Sequence, residues 1–591
     1  MTPSLVLAFS LLLSTQGGGS SSKLSPDISK LSSGAPVQVI VQYVHSPTDR
    51  DDQKTLAVGG LLRKKFKHTK SRAIRVPRTA LAALAADPNV AYVSPDRPVH
   101  AKLDYTTTAV NAPAAWSASW VGTGVGVAVI DSGISAHPDL TGARNRVVYT
   151  QDFVYTDGAD QYGHGEHVAG IIAANGDSSR CWDCTRTLTG VAPDANIINL
   201  RVLDENGNGT DSSVIAAINQ AIDLKDQYNI RVINLSLGRP VFESYGLDPL
   251  CQAVEAAWNA GIVVVVAAGN DGRDNSMGTN GYGTITAPGN DPYVITVGAM
   301  KTMETLDSSD DQIASYSSKG PTLIDHVVKP DLVAPGNKVV SLQVPGSTLT
   351  QYAQNAVPVS YYESSSVGNT TSSLYLTLNG TSMATPVVSG AAAVLLQAEP
   401  NLTPDQVKAR LMKTARKTFP LTSVATDPVT GQTYLSQYDI FTVGAGYLDL
   451  AAALANTDIA VGSAASPTAI FDPILNNIYL SSDPLSLWND LGPSGAQGVW
   501  GVQGVWGTSV VDATRGVWGV QGVWGVQGVW GVRGVWGTGS YAGAEAVWNA
   551  DSLNSSSSDS GTRGVWGTRA VWGTTNVVGS ESNSVTTNGE N

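Results

Sequence analysis

Asn379-Gly380-Thr381-Ser382-Met383-Ala384-Thr385-Pro386 runs into an apolar stretch, Val387 to Leu396, too rich in Ala, Val and Leu for a surface loop. The pattern predicts a serine at the start of a buried helix. First-turn N–H groups have no intrahelical acceptor, and the helix dipole is positive there, which suits a developing oxyanion. Gly380 lets another chain approach closely, and Pro386 sits early enough to cost few hydrogen bonds. Ser and Thr also start helices for purely structural reasons, so these eight residues alone leave capping and catalysis both open.

Two further stretches bear on the choice. Val127-Ala128-Val129-Ile130 reads as a buried strand ending in Asp131-Ser132-Gly133, and Gly163-His164-Gly165-Glu166-His167-Val168-Ala169-Gly170 opens another apolar helix. An Asp at a strand end, a His at a helix start and a Ser at a helix start, in that chain order, resemble the subtilisin-like serine proteases, the subtilases. The resemblance runs from about Tyr105 to Ala455. It implies that Ser382 attacks the scissile carbonyl carbon, that His164 takes the hydroxyl proton and returns it to the leaving amine, and that Asp131 holds the imidazole tautomer. Asn270 ends the run Val263-Val264-Val265-Val266-Ala267-Ala268-Gly269 and matches the amide of the family's oxyanion hole, paired with the Ser382 backbone N–H. Read without the family, Asn270 is a turn residue after a strand. His167 matches the family's second, packed histidine. Glu166 departs from the family's usual Thr. It is either a favourable carboxylate in a first helical turn or a charge that raises the His164 pKa.

Substrate contacts follow from the same resemblance. Ser236-Leu237-Gly238 resembles the edge segment that pairs with a peptide, and Gly207-Asn208-Gly209 the facing one, so a substrate adds a β-strand between them. Asp139 resembles a calcium ligand of the family, although the loop after the His164 helix matches the family's calcium loop poorly. No cofactor is implied for the chemistry, and a structural calcium stays open.

Strands alternate with helices, the mark of an α/β fold with a doubly wound, mostly parallel sheet. Strands are expected at Val127–Ile130, Ile197–Val202, Val232–Ser236, Ile262–Ala268 and Val294–Val297. Helices are expected at His164–Ala174, Asp211–Tyr228, Pro249–Ala260 and Thr381–Gln397, with a capping box at Thr403-Pro404-Asp405-Gln406 starting one more.

The chain of 591 residues is read as several domains. Residues 1–22 hold Leu5 to Leu13, an apolar run too short to span a membrane, and fit a secretory signal, although no Lys or Arg precedes it and no clear cleavage site follows. No later stretch is read as a transmembrane helix. Residues 23–104 look like the family's inhibitory propeptide, cut off by the enzyme itself between about Val99 and Tyr105. A strand is expected at Val37–Val44, helices at Leu56–Phe66 and Thr79–Ala86, and a strand ending at Val93. Residues 23–100 carry 13 Lys and Arg against 6 Asp, a balance of +7; the whole chain is −13, so residues 101–591 carry −20. A basic front segment against an acidic remainder favours association of the two, and the acidic total argues against nucleic acid as a partner. The catalytic domain is read as 105–456, with Ser341–Leu376 as a plain surface excursion, followed by a linker at 457–496.

Cys181 and Cys184 form a CxxC expected to close as a small-ring disulfide, with Cys251 free and buried. Ten of the fourteen Trp lie after residue 480, from Trp488 to Trp572, each a multiple of six residues from the next. The array over 497–573 is best kept at Gly516–Gly537, in units such as Gly-Val-Trp-Gly-Val-Gln. A six-residue period keeps every Trp on one face of a strand and scatters them around a helix. A β-stack with a Trp core, an exposed aromatic surface for envelope or self association, and disorder are all open readings. Residues 574–591 are read as a disordered tail. Two functions compete: a secreted endopeptidase acting on proteins or peptides with its own propeptide as inhibitor, and an idle subtilase scaffold serving as an adhesive surface protein. The joint presence of Asp131, His164, Asn270 and Ser382 favours the first.

Overall fold

The computed structural model describes residues 23–25, 28, 36–66, 69–95, 105–154, 158–276, 278–364, 370–472, 477–481 and 585–590. The leader, the cut region after Val99 and the Trp array lie outside the described residues. The chain divides into two compact units, Met1–His100 and Ala101–Asn591.

The first unit is a four-stranded antiparallel sheet in the order Leu61–Lys65, Ser71–Val76, Val37–Tyr43, Val90–Pro95. Alternate residues Val39, Val41, Ile74 and Val76 are buried, and Leu81 and Leu84 of the helix Leu81–Ala86 join their cluster. The helix expected over Leu56–Phe66 is displaced. Helix forms at Asp49–Ala57, where Asp51 accepts from the Thr48 backbone N–H at 2.8 Å, and it stops before Gly59 and Gly60. Leu61–Lys65 is instead an edge strand, and its exposed Arg63, Lys64 and Lys65 suit an edge that must not pair further.

The second unit is built on an eight-stranded sheet. From one edge the order is Gln312–Ile313, Ile295–Lys301, Val263–Ala267, Ile230–Leu235, Gly126–Asp131, Asn196–Arg201, Val147–Asp152, with Leu332–Asn337 beside Ile295–Lys301. Every pairing is parallel except that of Gln312–Ile313. Gly126–Asp131 and Val263–Ala267 are buried at every position, which is why their sequences are uninterrupted apolar runs rather than alternating ones. Gly126–Asp131 is the first strand, and later strands are added on both sides of it. The strand order therefore reverses around it, and the crevice beyond its carboxyl end is where such sheets place a site.

The helix Thr381–Ala398 is the buried centre of this unit. By length and apolar content alone it is fit to cross a membrane, contrary to the sequence reading, yet 83% of it lies inside the protein. Pro386 cannot donate to the carbonyl four residues back, that of Ser382. The Ser236 hydroxyl takes the vacancy and donates to Ser382 O at 2.8 Å, tying the helix start to the end of a sheet strand.

Three other expectations are corrected. Residues 341–376 are no surface excursion: Val339–Leu342, Thr371–Leu378 and Ala356–Pro358 form a three-stranded sheet in which Tyr375 and Leu376 are buried. The linker at 457–496 packs on the domain in its described part. Ala464 is buried, Ser466 accepts from Lys408 Nζ at 2.9 Å, and Thr468–Asp472 pairs with Asn477–Ser481 as a hairpin. The tail expected to be disordered includes Val585–Glu590, whose Val585 and Glu590 are buried.

Candidate active site

Asp131 ends its strand and His164 starts the helix His164–Ala173. The two elements meet closely because Gly165 has no side chain: a Cβ there would lie 2.2 Å from the Gly133 carbonyl oxygen. His164 Nδ1 stands 2.7 Å from Asp131 Oδ1, and that oxygen also accepts from Ser132 N at 2.7 Å. Asp131 is almost wholly buried, so the pair is screened little by water. Burial works against a charged imidazole, but the Asp131 carboxylate and, further off, Asp160 outweigh it and raise the His164 pKa.

Ser382 is the second residue of its helix, and its hydroxyl donates to the Ser236 carbonyl at 3.0 Å. Ser236 is itself fixed: Asn234 Nδ2 donates to its Oγ at 2.9 Å, and Ser389 Oγ donates to Asn234 Oδ1 at 2.8 Å. Asn270 Oδ1 accepts from Thr381 N at 2.9 Å and Thr381 Oγ1 at 3.1 Å, which spends the carbonyl end of the amide and turns the NH₂ end away. Gly380 has φ 138°, and a Cβ on it would meet Asn270 Nδ2 at 3.1 Å, so glycine permits this approach. His164, Ser382 and Asn270 line one cleft of about 480 Å³. Gly207, Asn208, Gly209, Ser236, Leu237 and Gly238, expected to meet substrate, line the same cleft.

His167 is packed. Its Nε2 lies 3.1 Å from Val339 O and 3.2 Å from Leu376 O, and burial, with the nearby His164, lowers its pKa to about 3. It therefore stays neutral and donates to the small three-stranded sheet. Glu166 does not act on His164. Its carboxyl group accepts from Ser135 N, and burial raises its pKa well above the usual value, which disfavours its charged form. Asp160, which sequence reading missed, is the other carboxyl that raises the His164 pKa, and burial raises its own pKa as well. Asp160 accepts from Gly163 N at 2.7 Å, Glu166 N at 2.8 Å and Ser132 Oγ at 2.8 Å, so it caps the His164 helix. An acidic residue four positions before the helix start was the available signal. Glu166→Thr is accordingly expected to leave the acid limb of the pH profile of kcat/KM in place; a moved limb would show that Glu166 is charged and acts on His164.

Asp139 is fully buried, and both its oxygens are engaged, with Ser178 N at 2.6 Å and Tyr375 Oη at 2.7 Å. That pairing gives it a structural role and does not fit the expected calcium ligand. Among the described residues the one cluster of metal-ligating types is Cys181, Cys184 and Glu363, and its two sulfurs are joined as a disulfide. Cys251 is free and buried, and burial pushes its thiol pKa up, which keeps it inert.

Residues 122–441 match the model of the peptidase S8, subtilase family. The chain is 39% identical over 361 residues to serine protease AprX of Bacillus subtilis (strain 168), covering 59% of this chain and 74% of that protein. It is 38% identical over 364 residues to subtilisin E of the same organism, covering 60% and 78%. Against the extracellular serine proteinase of Thermus sp. (strain Rt41A) it is 36% identical over 361 residues, covering 58% and 69%.

Proposed function

This chain belongs to the subtilase family of serine peptidases, and on that premise we propose that it is a secreted endopeptidase made as a self-processing zymogen. The observation that carries the reading is His164, paired with the buried Asp131 at 2.7 Å and lining one cleft with Ser382. Substrate entering between Gly207–Gly209 and Ser236–Gly238 pairs through its backbone, so broad side-chain tolerance is expected. The Ser382 hydroxyl then turns from Ser236 O to His164 Nε2, loses its proton there and attacks the carbonyl carbon. The tetrahedral oxyanion sits between the Asn270 NH₂ group and the Ser382 backbone N–H. His164 returns the proton to the leaving amine, and water repeats the sequence on the acyl-enzyme.

The first unit is proposed as the inhibitory propeptide, supported by its place ahead of the catalytic domain and by its +7 charge against −20 beyond it. Secretion is supported by the apolar leader, by the Cys181–Cys184 disulfide and by a relative named as an extracellular proteinase. The Trp array is assigned to association with the cell envelope or with other copies, outside the chemistry. No residue is assigned to calcium. Asn270→Ala tests the site: loss of an oxyanion donor costs subtilases about 10²–10³ in kcat, with KM little changed. A kcat within about twofold of wild type on an extended peptide substrate would remove Asn270 from the oxyanion role.

A further inference from the structure

Val585–Glu590 docks on the second unit beside the catalytic cleft. The segment is separated from Ser481 by residues 482–584, which lie outside the described residues. Its contacts form a recognisable code for a peptide. Asn337 reads both backbone groups of Glu590: its Oδ1 accepts from Glu590 N at 3.0 Å and its Nδ2 donates to Glu590 O at 2.9 Å. The Glu590 carboxylate accepts from Ser315 N at 2.8 Å, from Ser315 Oγ, and from Arg273 Nη2 at 2.7 Å, with Lys301 Nζ at 3.4 Å. Both cations and the carboxylate are almost wholly removed from water. Arg273 is shared between Asp427 Oδ2, at 2.6 Å, and Glu590, and buried cations are costly unless their partners are all present, so the pocket favours an acid. Gly589 has φ 62°, and a Cβ there would stand 2.3 Å from Asn379 Oδ1. The pocket therefore selects a Gly-Glu pair.

The other end of the segment reaches the turn that carries the nucleophile. Thr586 O accepts from Asn379 N at 3.1 Å and from Asn379 Nδ2 at 3.2 Å, and Asn379 lies three residues before Ser382. Thr586 is itself part of the cleft lining, with Asn270 and Thr381. Val585 adds a buried apolar anchor.

We propose that Asn337, Ser315, Arg273 and Lys301 form a receptor for the chain's own Val585–Glu590 segment, and that the docked segment clamps the Asn379 turn and forms one rim of the cleft. The receptor reads the Gly589-Glu590 pair in cis. The importance of the rim rests on the peptidase reading; the docking does not.

The test uses full-length Ser382→Ala protein, which needs no peptidase activity. Glu590→Gln removes the charge, and Gly589→Val adds bulk while keeping it. Hydrogen exchange followed by mass spectrometry is expected to show the Ser315 and Asn379 amides exchanging about tenfold faster, or more, in both variants, since charge-assisted hydrogen bonds hold the segment. A labelled Val-Thr-Thr-Asn-Gly-Glu-Asn peptide should bind the Glu590→Gln protein about tenfold more tightly than the same peptide carrying Gln in place of Glu. Unchanged exchange in both variants, or equal affinity for the two peptides, overturns the receptor. Sedimentation should show the same oligomeric state with and without Glu590→Gln; a dimer that dissociates on Glu590→Gln would make the occupant a second copy and overturn docking in cis.

Discussion

Ser382→Ala is expected to lower kcat by about 10⁶ and to leave the chain uncut between about Val99 and Tyr105. Replacing the serine removes the nucleophile while sparing what holds the helix start. The Ser236 hydroxyl still has the Ser382 carbonyl to donate to, and Thr381 still holds Asn270. What is lost structurally is one hydrogen bond, from Ser382 Oγ to Ser236 O, at a half-buried position, about 1 kcal/mol. Thermal unfolding should therefore move by only a few degrees while turnover collapses. The intact mass of material from a protease-deficient host reads the processing. If the variant is trimmed like wild type, another enzyme makes the cut and the self-processing zymogen is wrong. If it turns over peptide at the wild-type rate, Ser382 is not the nucleophile.

The parts of this site that were legible in the sequence are those fixed by local pattern. Five buried strands announce themselves as mainly apolar runs, because a parallel strand covered on both faces has little polar side to show. Asp131, His164, Asn270 and Ser382 lie at element ends, where small residues and caps mark the boundary. The disulfide was legible because its ring is short.

The features that were missed depend on partners distant in sequence. Tyr375 and Leu376 looked like part of a polar excursion until His167, 209 residues from Leu376, was seen to donate to that strand. Glu590 looked like the end of a polar tail, and its partner Arg273 is 317 residues away. The helix at Asp49–Ala57 was overlooked because it is polar up to Leu56; its buried Asp52 is matched by Arg72, at 3.2 Å, on a neighbouring strand. Glu166 shows the reverse error. Its place in a first turn beside His164 left open a charge acting on the ring, but complete burial disfavours its charged form, and the carboxyl groups that raise the His164 pKa are those of Asp131 and Asp160. Burial and long-range pairing decide the sign of such effects, and neither can be read from spacing.

Asp131→Asn is expected to reduce kcat by about 10⁴ and to move the acid limb of kcat/KM to lower pH. In the wild type, Asp131 Oδ1 accepts from His164 Nδ1, which leaves Nε2 unprotonated and able to receive the Ser382 proton. An asparagine can offer its NH₂ group to Nδ1, and the ring then carries its proton on Nε2, where it cannot act as a base. The pH effect follows from the same contact. His164 works as the free base, and its pKa is raised above the ordinary 6.5 because Asp131 and Asp160 outweigh burial. Without Asp131 the burial penalty meets Asp160 alone, so the pKa falls and residual activity persists to lower pH. Stability should change in step. A raised folded-state pKa means that the folded chain binds the His164 proton more tightly than the unfolded one. That contribution is fully present below about pH 6.5 and fades as pH rises through the folded-state value. Asp131→Asn should remove this fall in the unfolding free energy, measured by denaturant titration across pH 5 to 9. An unmoved acid limb together with an unmoved stability profile would show that Asp131 does not set the state of His164.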